Sequence, residues 1–407
     1  MGNQVEFTML SKLCITLILY AVVSTLTGHL AEARESANRD SYFNKSLNAY
    51  NTSSRGRDGK FLSIFTLAVF ENDACNTSSI NRTGICFSSS ECISRGGRAE
   101  GICAGGYGVC CLFEVSCGGN SFNNGTYFQN PNYPGGYNEA RTCQASIRKV
   151  HFNVCQFRLD FISFDISQPT NGVCNDDRLV ISGQSQNSVV PPLCGFNTGQ
   201  HLYIEVSGTE GPIQLNVITQ GSRTRSFDIR ITQIGCGSRD RAPPNCLQYY
   251  TGVQGVFRSF NHISDIAIND QGYFNNLDYT ICFRKEVGFC TMTYSLPEFI
   301  PPPNQQQQVQ VNPFFGIQMG AGGINQQLTT AGAGMQECMT DYIILASIRL
   351  CGGRLNDKLL NNIPANMNKD IIDTTTGPFT ARFVTNTEFI SRGFLINYRQ
   401  NPCTSGR

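Results

Sequence analysis

The sequence predicts an all-β protein in which two β-sandwiches follow a small disulfide-rich module. Its 407 residues suffice for two or three domains of ordinary size. Short runs of alternating apolar and polar residues recur between clusters of Gly, Pro and Asn, a pattern typical of antiparallel strands. The 19 cysteines suit an oxidising compartment, where they would pair as disulfides.

The composition excludes two classes of protein. Only 15% of residues are charged and 40% are hydrophobic, so the chain is not of the disordered type. The 31 Lys+Arg against 30 Asp+Glu leave a net charge of +1, which gives no basic footprint for nucleic acid.

Residues 1–33 are predicted to be a secretory signal peptide. Lys12 precedes an apolar run from Leu13 to Leu26, and Ala31-Glu32-Ala33 supplies small residues for cleavage. The alternative is a signal anchor, but the run is shorter than the roughly 20 residues that a membrane span needs. The mature chain is therefore expected to be secreted and extracellular, with no membrane span.

Residues 34–74 are expected to form a glycosylated polar linker that ends in an apolar, strand-like segment, 61–70. The basic stretch at 55–60 is either a protease cut site or a solvated linker. N-glycosylation sequons lie in the first third of the chain, at Asn44, Asn51, Asn76, Asn81 and Asn124.

Removal of the signal also removes Cys14 and leaves an even number of cysteines, in three groups of six. The first group falls within residues 75–111, a polar segment too small to bury much core, so disulfides are expected to stabilise it. The segment contains no histidine, and a zinc site is the weaker interpretation. The first six are Cys75, Cys86, Cys92, Cys103, Cys110 and Cys111.

The second and third groups indicate an internal duplication. Cys155 and Cys290 each open an alternating run, and Leu-Cys-Gly recurs at 193–195 and 350–352. An apolar run also recurs, and it ends five residues before the last cysteine of each group, at Ile231 and at Tyr398. The groups are Cys117, Cys143, Cys155, Cys174, Cys194 and Cys236, then Cys246, Cys282, Cys290, Cys338, Cys351 and Cys403.

Period-2 alternation predicts individual strands within both repeats. These lie at 178–182, 201–206, 213–217 and 381–385, and turn clusters such as 130–136 separate them.

The repeats resemble CUB domains, which are extracellular jelly-roll modules. The first repeat, 117–236, carries the resemblance through Cys117-Gly118-Gly119, Asn132-Tyr133-Pro134, Leu159-Asp160-Phe161 and Leu193-Cys194-Gly195. The second, 246–403, matches more loosely through Cys338, Asp341 and Leu350-Cys351-Gly352, and is interpreted as a divergent CUB-like domain. Its insertion at 297–337, rich in Pro, Gln and Gly, is expected to be a flexible surface loop.

The resemblance implies a set of disulfides. The family pattern pairs Cys117–Cys143, Cys174–Cys194, Cys246–Cys282 and Cys338–Cys351. Each repeat has one further pair of cysteines at equivalent places, which predicts Cys155–Cys236 and Cys290–Cys403.

The 75–111 segment is similar to the clip module of arthropod protease cascades, through its six cysteines and the ending Gly108-Val109-Cys110-Cys111. That similarity implies the pairs Cys75–Cys110, Cys86–Cys103 and Cys92–Cys111. The order of a clip-like module and two CUB-like domains is similar to that of secreted CUB proteins of insects and other arthropods.

Many CUB domains bind calcium and use it to dock a partner's lysine, so the resemblance raises the question of a metal site. Asp177 and Asp341 match the middle ligand of the family, and Asp165 lies near the first. Ser167 stands where a glutamate is usual. Because calcium prefers several carboxylates, these aspartates are interpreted as weak remnants of a site, and no cofactor is expected. A calcium site in the first repeat stays open as the alternative, because Asp165 and Asp176 lie close to Asp177 in the sequence.

No catalytic motif is recognisable, so the chain is predicted not to be an enzyme. His151, His201 and His262 belong to no zinc motif, and no serine nucleophile motif is present. His151 is expected to begin a strand, and both His151 and His201 are expected to be surface or strand residues rather than catalytic bases.

The predicted function is that of a secreted, non-enzymatic binding protein whose CUB domains recognise an extracellular protein or glycan. Fold analogy carries that step. Two alternatives stay open. One is a regulator of a serine-protease cascade that docks through the clip-like module, and the other is a structural component of matrix or cuticle.

Overall fold

Strands and turns make up most of the regular structure. The computed structural model describes residues 69–78, 82–262, 272–299, 312–320, 328–358 and 363–403. The predicted signal peptide, the polar stretch 34–59 and most of the apolar segment 61–70 lie outside the described residues, as do Asn44, Asn51 and Asn81. The predicted all-β class, with two sandwiches after a disulfide-rich module, is confirmed.

The N-terminal module is a small antiparallel sheet with one short helix. Its elements are β1 (Ala74–Asn76), β2 (Thr83–Phe87), α1 (Ser89–Ser94), β3 (Arg98–Cys103) and β4 (Gly108–Leu112), with the strands in the order β1-β2-β4-β3. The hydroxyl of Ser88 accepts a hydrogen bond from the N–H of Glu91 at 3.2 Å and so caps α1. The small core gathers Ile85, Phe87 and Phe113 around buried cysteines.

The first sandwich packs a four-stranded sheet on a five-stranded sheet. The sheet orders are β10-β12-β8-β6 and β11-β9-β13-β7-β5. In chain order the strands are β5 (Glu114–Val115), β6 (Gly119–Ser121), β7 (Thr126–Gln129), β8 (Arg141–Ile147), β9 (Val154–Asp165), β10 (Arg178–Ser182), β11 (His201–Glu205), β12 (Ile213–Thr219) and β13 (Ser226–Gly235).

The second sandwich repeats this plan with a larger sheet. One sheet has the order β14-β16-β23-β20-β21-β19, and the other has the order β15-β24-β17-β22 with β18 paired to β24. The strands are β14 (Cys246–Tyr250), β15 (Gln254–Arg258), β16 (Asp278–Phe283), β17 (Phe289–Ser295), β18 (Phe315–Gly316), β19 (Ala331–Ala333), β20 (Tyr342–Leu345), β21 (Ile348–Gly352), β22 (Ile371–Asp373), β23 (Phe379–Val384) and β24 (Gly393–Pro402).

The alternation of the sequence explains which side chains enter the core. In β9, Phe157, Leu159 and Phe161 are buried, whereas Arg158 and Ile162 point to the opposite face. The final strands β13 and β24 pair with β9 and β17, the strands that carry Cys155 and Cys290. One contiguous cluster of buried apolar side chains runs through both sandwiches.

Nine disulfides join cysteines of the described residues. The structure brings together the same partners that the family patterns and the equivalence of the repeats imply. They are Cys75–Cys110, Cys86–Cys103, Cys92–Cys111, Cys117–Cys143, Cys155–Cys236, Cys174–Cys194, Cys246–Cys282, Cys290–Cys403 and Cys338–Cys351.

Three local expectations need correction. The insertion 297–337 is not a flexible surface loop throughout, because β18 and β19 are paired to β24 and β21 and are buried. Some strand pairs are parallel rather than antiparallel: β5 with β7, β6 with β8, and β14 with β16. His151 does not begin a strand, since β9 starts at Val154.

Candidate functional site

A buried ion pair lies at one loop end of the first sandwich. Asp177 immediately precedes β10 and Arg225 immediately precedes β13. The guanidinium donates from Nε to Oδ2 at 2.7 Å and from Nη2 to Oδ1 at 2.9 Å, and both side chains are fully buried. Two parallel, charge-assisted hydrogen bonds of this kind are the strongest ion-pair geometry that arginine offers.

The other hydrogen-bonding positions of this pair are also filled. Asp177 accepts from the backbone N–H of Ser167 at 2.8 Å and of Gln220 at 3.0 Å, while Arg225 donates to the carbonyl oxygens of Gln220 and Arg223. Burial alone would raise the pKa of Asp177, but the hydrogen bonds from Arg225 and Ser167 outweigh it and lower the pKa. The carboxylate therefore stays charged and ties two loops to β10.

Asp165, the last residue of β9, is paired with Arg223, which lies in the same loop before β13 as Arg225. Its Oδ1 lies 2.8 Å from Nη2 of Arg223, and both side chains are partly exposed. The two candidate carboxylates of the first sandwich are thus both held by arginines that precede β13.

The equivalent aspartate of the second sandwich has neutral partners. Asp341 accepts from the Tyr273 hydroxyl at 2.6 Å and from the backbone N–H of Asn386 at 2.8 Å. Burial raises the pKa of Asp341 to about 6, although the hydrogen bonds from Tyr273 and Asn386 act in the opposite direction. This carboxyl group therefore titrates close to physiological pH.

Comparison with known families decides what the two sandwiches are. Residues 117–230 match the CUB domain, and residues 243–401 match the animal CUB domain. Both sandwiches are CUB domains. We name the sandwich of β5–β13 CUB1 and that of β14–β24 CUB2. Domains of this family are extracellular, non-catalytic modules that typically mediate interactions between proteins.

Several solved CUB-containing structures are similar to this chain. The CUB1-EGF-CUB2 domains of rat MASP-1 share 14% identity over 71% of this chain and 99% of that one, with a TM-score of 0.23. The corresponding domains of human MASP-1/3 share 13% over 69% and 100%, with a TM-score of 0.22. The extracellular region of zebrafish Gpr126/Adgrg6 shares 11% over 72% and 34%, with a TM-score of 0.25. No curated protein matches the sequence.

The residues of CUB1 do not fit the calcium ion that many family members bind. Calcium prefers six to eight oxygen ligands with several carboxylates. Both oxygens of Asp177 already accept hydrogen bonds, and a cation beside them would face the charge of Arg225. Asp341 of CUB2 is engaged by Tyr273 and Asn386. Across the described ranges, no group of three or more His, Cys, Asp or Glu is placed to hold a metal.

CUB1 and CUB2 meet through buried polar side chains. Nε2 of His201, at the start of β11, lies 3.0 Å from the carbonyl oxygen of Tyr249 in β14. Gln248 donates to Gln200 Oε1 at 3.1 Å, and Gln200 donates to the carbonyl oxygen of Ser259 at 3.0 Å. Such a network is specific because each buried polar group needs its partner.

Further along the junction, each domain satisfies backbone groups of the other. Asn261 Oδ1 accepts from the N–H of Phe196 at 2.9 Å, and the N–H of Asn261 donates to Asn197 Oδ1 at 2.8 Å. The N–H of Asn275 donates to the carbonyl oxygen of Gly172 at 2.9 Å. These contacts fix the orientation of the two CUB domains relative to each other.

Two buried histidines are kept neutral, one at the junction (His201) and one within CUB2 (His262). Burial, with a contribution from Arg158, lowers the pKa of His201 to about 3, and burial lowers the pKa of His262 to about 4. Both rings are therefore neutral at pH 7. His201 is a strand residue, as expected, but it is buried between domains rather than exposed.

A groove of about 730 Å³ opens along the junction, between CUB1, CUB2 and the linker of residues 236–245 that joins them. Glu205 of CUB1 lies 3.5 Å from Arg241 of the linker, and Asp278 of CUB2 lies 2.7 Å from Arg382. Val189 stands at its wall with 79% of its surface exposed. Sites between domains are common binding places because both partners contribute to one concave surface.

The disulfide-rich module is docked on CUB1 through Arg82. Its guanidinium lies 2.8 Å from Asp228 Oδ2 and 2.8 Å from Glu114 Oε1, and 4.6 Å from the centre of the Tyr127 ring. Burial raises the pKa of Asp228 to about 6, although Arg82 acts to lower it. The N–H of Thr83 donates to the Tyr127 hydroxyl at 3.0 Å.

Of the predicted sequons, Asn76 and Asn124 lie within the described residues. Asn76 is exposed at the end of β1, whereas Asn124 is half-buried before β7. The part of the chain that the structure describes contains no helix that could span a bilayer.

Sequence reasoning missed Arg225 and the polar junction. Arg225 lies two residues before Phe227, which opens the apolar run that ends five residues before Cys236. Nothing in the sequence indicated that it would face Asp177, which lies 48 residues away.

Proposed function

We propose that this chain is a secreted, non-enzymatic binding protein that holds an extracellular protein partner in the groove between CUB1 and CUB2. The observation that carries the proposal is the fixed junction. Buried bonds such as Asn261 to Phe196 hold the two domains in one orientation, so the groove keeps its shape before a partner arrives. Such preorganisation reduces the entropy lost on binding.

The lining of the groove supports a protein partner with charges of both signs. The pair of Arg382 and Asp278 is about half exposed, so a partner's side chains can reach either charge. Val189, which is 79% exposed, adds apolar surface beside these charges.

Site-directed photo-crosslinking tests the proposal. A photo-reactive amino acid replaces Val189 at the groove, and in a matched control it replaces Val287, which is 99% exposed and outside the groove lining. After incubation with extracellular fluid and irradiation, we expect a discrete adduct from position 189 that excess unlabelled chain abolishes. Adducts of equal yield from both positions, or none from position 189, contradict the proposal.

A second candidate function, regulation of a protease cascade through the disulfide-rich module, has one supporting observation. Ile102 and Tyr107, around the turn between β3 and β4, are 78% and 67% exposed. An adduct from a probe at Ile102, with none from Val189, favours this function over the leading one.

A further inference from the structure

A second groove, of about 810 Å³, crosses the face of CUB1 that points away from its core. It runs over β13, β9 and β11, and its lining includes Asn124, Arg230, Arg158 and Tyr203. Neighbouring strands lie about 4.8 Å apart, so the groove is roughly 10–14 Å long. We propose that it holds the first two sugars of an N-linked glycan attached to Asn124.

The amide of Asn124 is oriented for this attachment. Its Oδ1 accepts a hydrogen bond from the N–H of Gln233 at 2.7 Å. That bond fixes the amide plane and leaves Nδ2, the atom that carries the sugar, without a protein partner among the described residues. Asn124-Gly125-Thr126 is a sequon, and Asn124 forms part of the groove wall.

Arg230 gives an independent indication of a ligand. Its Nε is buried and has no hydrogen-bond partner within the described structure. A buried donor without an acceptor is costly, and native structures rarely tolerate it. No hydrogen bond or ion pair within the described structure engages the Arg230 guanidinium, so the acetamide carbonyl and hydroxyls of N-acetylglucosamine are acceptors for its N–H groups in the groove that Arg230 shares with Asn124.

The rest of the groove offers polar groups that bind sugars. The Arg158 guanidinium lies 2.7 Å from Asp160 and 5.6 Å from the centre of the Tyr203 ring. Donors and acceptors thus line the path away from Asn124. Asn76 provides a contrast within the same chain, because it is exposed and is not among the residues that line any described groove.

Release of the glycans by peptide N-glycosidase tests this inference, which rests on the proposed secretion. The full chain is produced in a secretory host, and mass spectrometry of the peptides measures loss of glycan from Asn124 and from Asn76. Under native conditions we expect release from Asn124 to be at least about 10-fold slower than from Asn76. After denaturation the two rates should agree.

The variant Arg230→Ala distinguishes a glycan that binds in the groove from one that the glycosidase reaches slowly only because Asn124 is half-buried. We expect it to speed native release at Asn124 at least about threefold, whereas Arg178→Ala, on the other sheet, leaves the rate unchanged. If Arg230→Ala does not fold, the wild-type comparison of Asn124 with Asn76 decides. Equal native rates at the two sites, an unoccupied Asn124, or a slow rate that Arg230→Ala does not change overturns the inference.

Discussion

Arg225 supplies inside CUB1 the positive charge that a bound cation supplies in many relatives. It satisfies both oxygens of Asp177 and the carbonyl oxygens of the adjacent loop, so the loop end needs no ion. Removing one member of a buried ion pair is strongly destabilising because the other charge remains buried.

We therefore expect Arg225→Ala to lower the free energy of unfolding by roughly 3–5 kcal/mol. The matched control is Arg223→Ala, which removes a partly exposed pair with Asp165 and should cost less than about 1 kcal/mol. Urea unfolding at pH 7 measures both. A chelator should leave the wild-type midpoint unchanged, and a lower midpoint in its presence contradicts the role assigned to Arg225.

Asp341 of CUB2 predicts a pH effect of the opposite sign from that of Asp177. Its pKa is raised to about 6 in the folded protein, whereas an unfolded aspartate titrates near about 3.9. The folded state therefore holds the extra proton between these values. This contribution to stability is fully present below pH 4 and is lost as the pH rises through 6.

When the pH falls from 7 to 5, proton uptake at Asp341 should raise the free energy of unfolding of the wild type by about 1 kcal/mol. The variant Asp341→Asn should lack this increase. The control is Asp278→Asn, because hydrogen bonds from Arg382 lower the pKa of Asp278 and keep it charged throughout this range. Urea unfolding at both pH values gives the difference between wild type and each variant. If wild type and Asp341→Asn change in parallel, the proton is not taken up at Asp341.

At the scale of elements, Arg82 makes the buried ionic contact of the joint between the disulfide-rich module and CUB1. Arg82 leads into β2 and reaches Asp228 of β13, whose carboxylate is fully buried. Arg98, in β3 of the same module, also contacts Glu114 but is 60% exposed. The two arginines thus differ mainly in burial.

We expect Arg82→Ala to cost on the order of 3 kcal/mol at pH 7, because Asp228 then remains buried without its counter-charge. Arg98→Ala should cost less than about 1 kcal/mol. The cost of Arg82→Ala should shrink at pH 5, where Asp228, with a pKa of about 6, takes up a proton. Equal costs for the two variants at pH 7 contradict this account of the joint. The sequon at Asn81 survives both changes, so glycosylation does not confound the comparison.

The strands were more predictable from the sequence than the contacts between them. The alternation of apolar and polar residues located β10 and β12, because one face of each strand is buried and the other is partly exposed to solvent. It failed for β18 and β19 because Pro, Gln and Gly around Phe315 and Ala331 resemble a loop, although these short strands are paired and buried. The Arg225–Asp177 pair and the junction were not predictable, since they depend on contacts between distant segments.

At the scale of the whole molecule, the junction makes CUB1 and CUB2 one cooperative body. Apolar side chains of both domains share one buried cluster, and His201 and Asn261 bond across the interface. Domains that are joined only by a linker would unfold separately, whereas domains that satisfy each other's buried groups lose those partners when either one opens. The tandem should therefore unfold in one transition.

Acid should lower the stability of the CUB1–CUB2 tandem through its two buried histidines. The folded pKa of His201 is about 3 and that of His262 is about 4, against roughly 6.5 when unfolded. Since the folded values are depressed, the stability is fully present above pH 6.5 and is lost as the pH falls towards 4 and 3. When the pH falls from 7 to 5, each histidine should lower the free energy of unfolding by about 2 kcal/mol. This loss exceeds the increase that Asp341 provides over the same range.

Calorimetry and urea unfolding test the two expectations together. At pH 7, CUB1 and CUB2 should give one calorimetric transition with equal calorimetric and van't Hoff enthalpies. His201→Gln should reduce the loss of stability between pH 7 and pH 5 by about 2 kcal/mol, because glutamine takes up no proton. His151→Gln changes an exposed ring outside the junction and serves as the control. Two transitions for the CUB domains at pH 7 would show that the buried network does not couple them, and an unchanged acid loss in His201→Gln would place the acid sensitivity elsewhere.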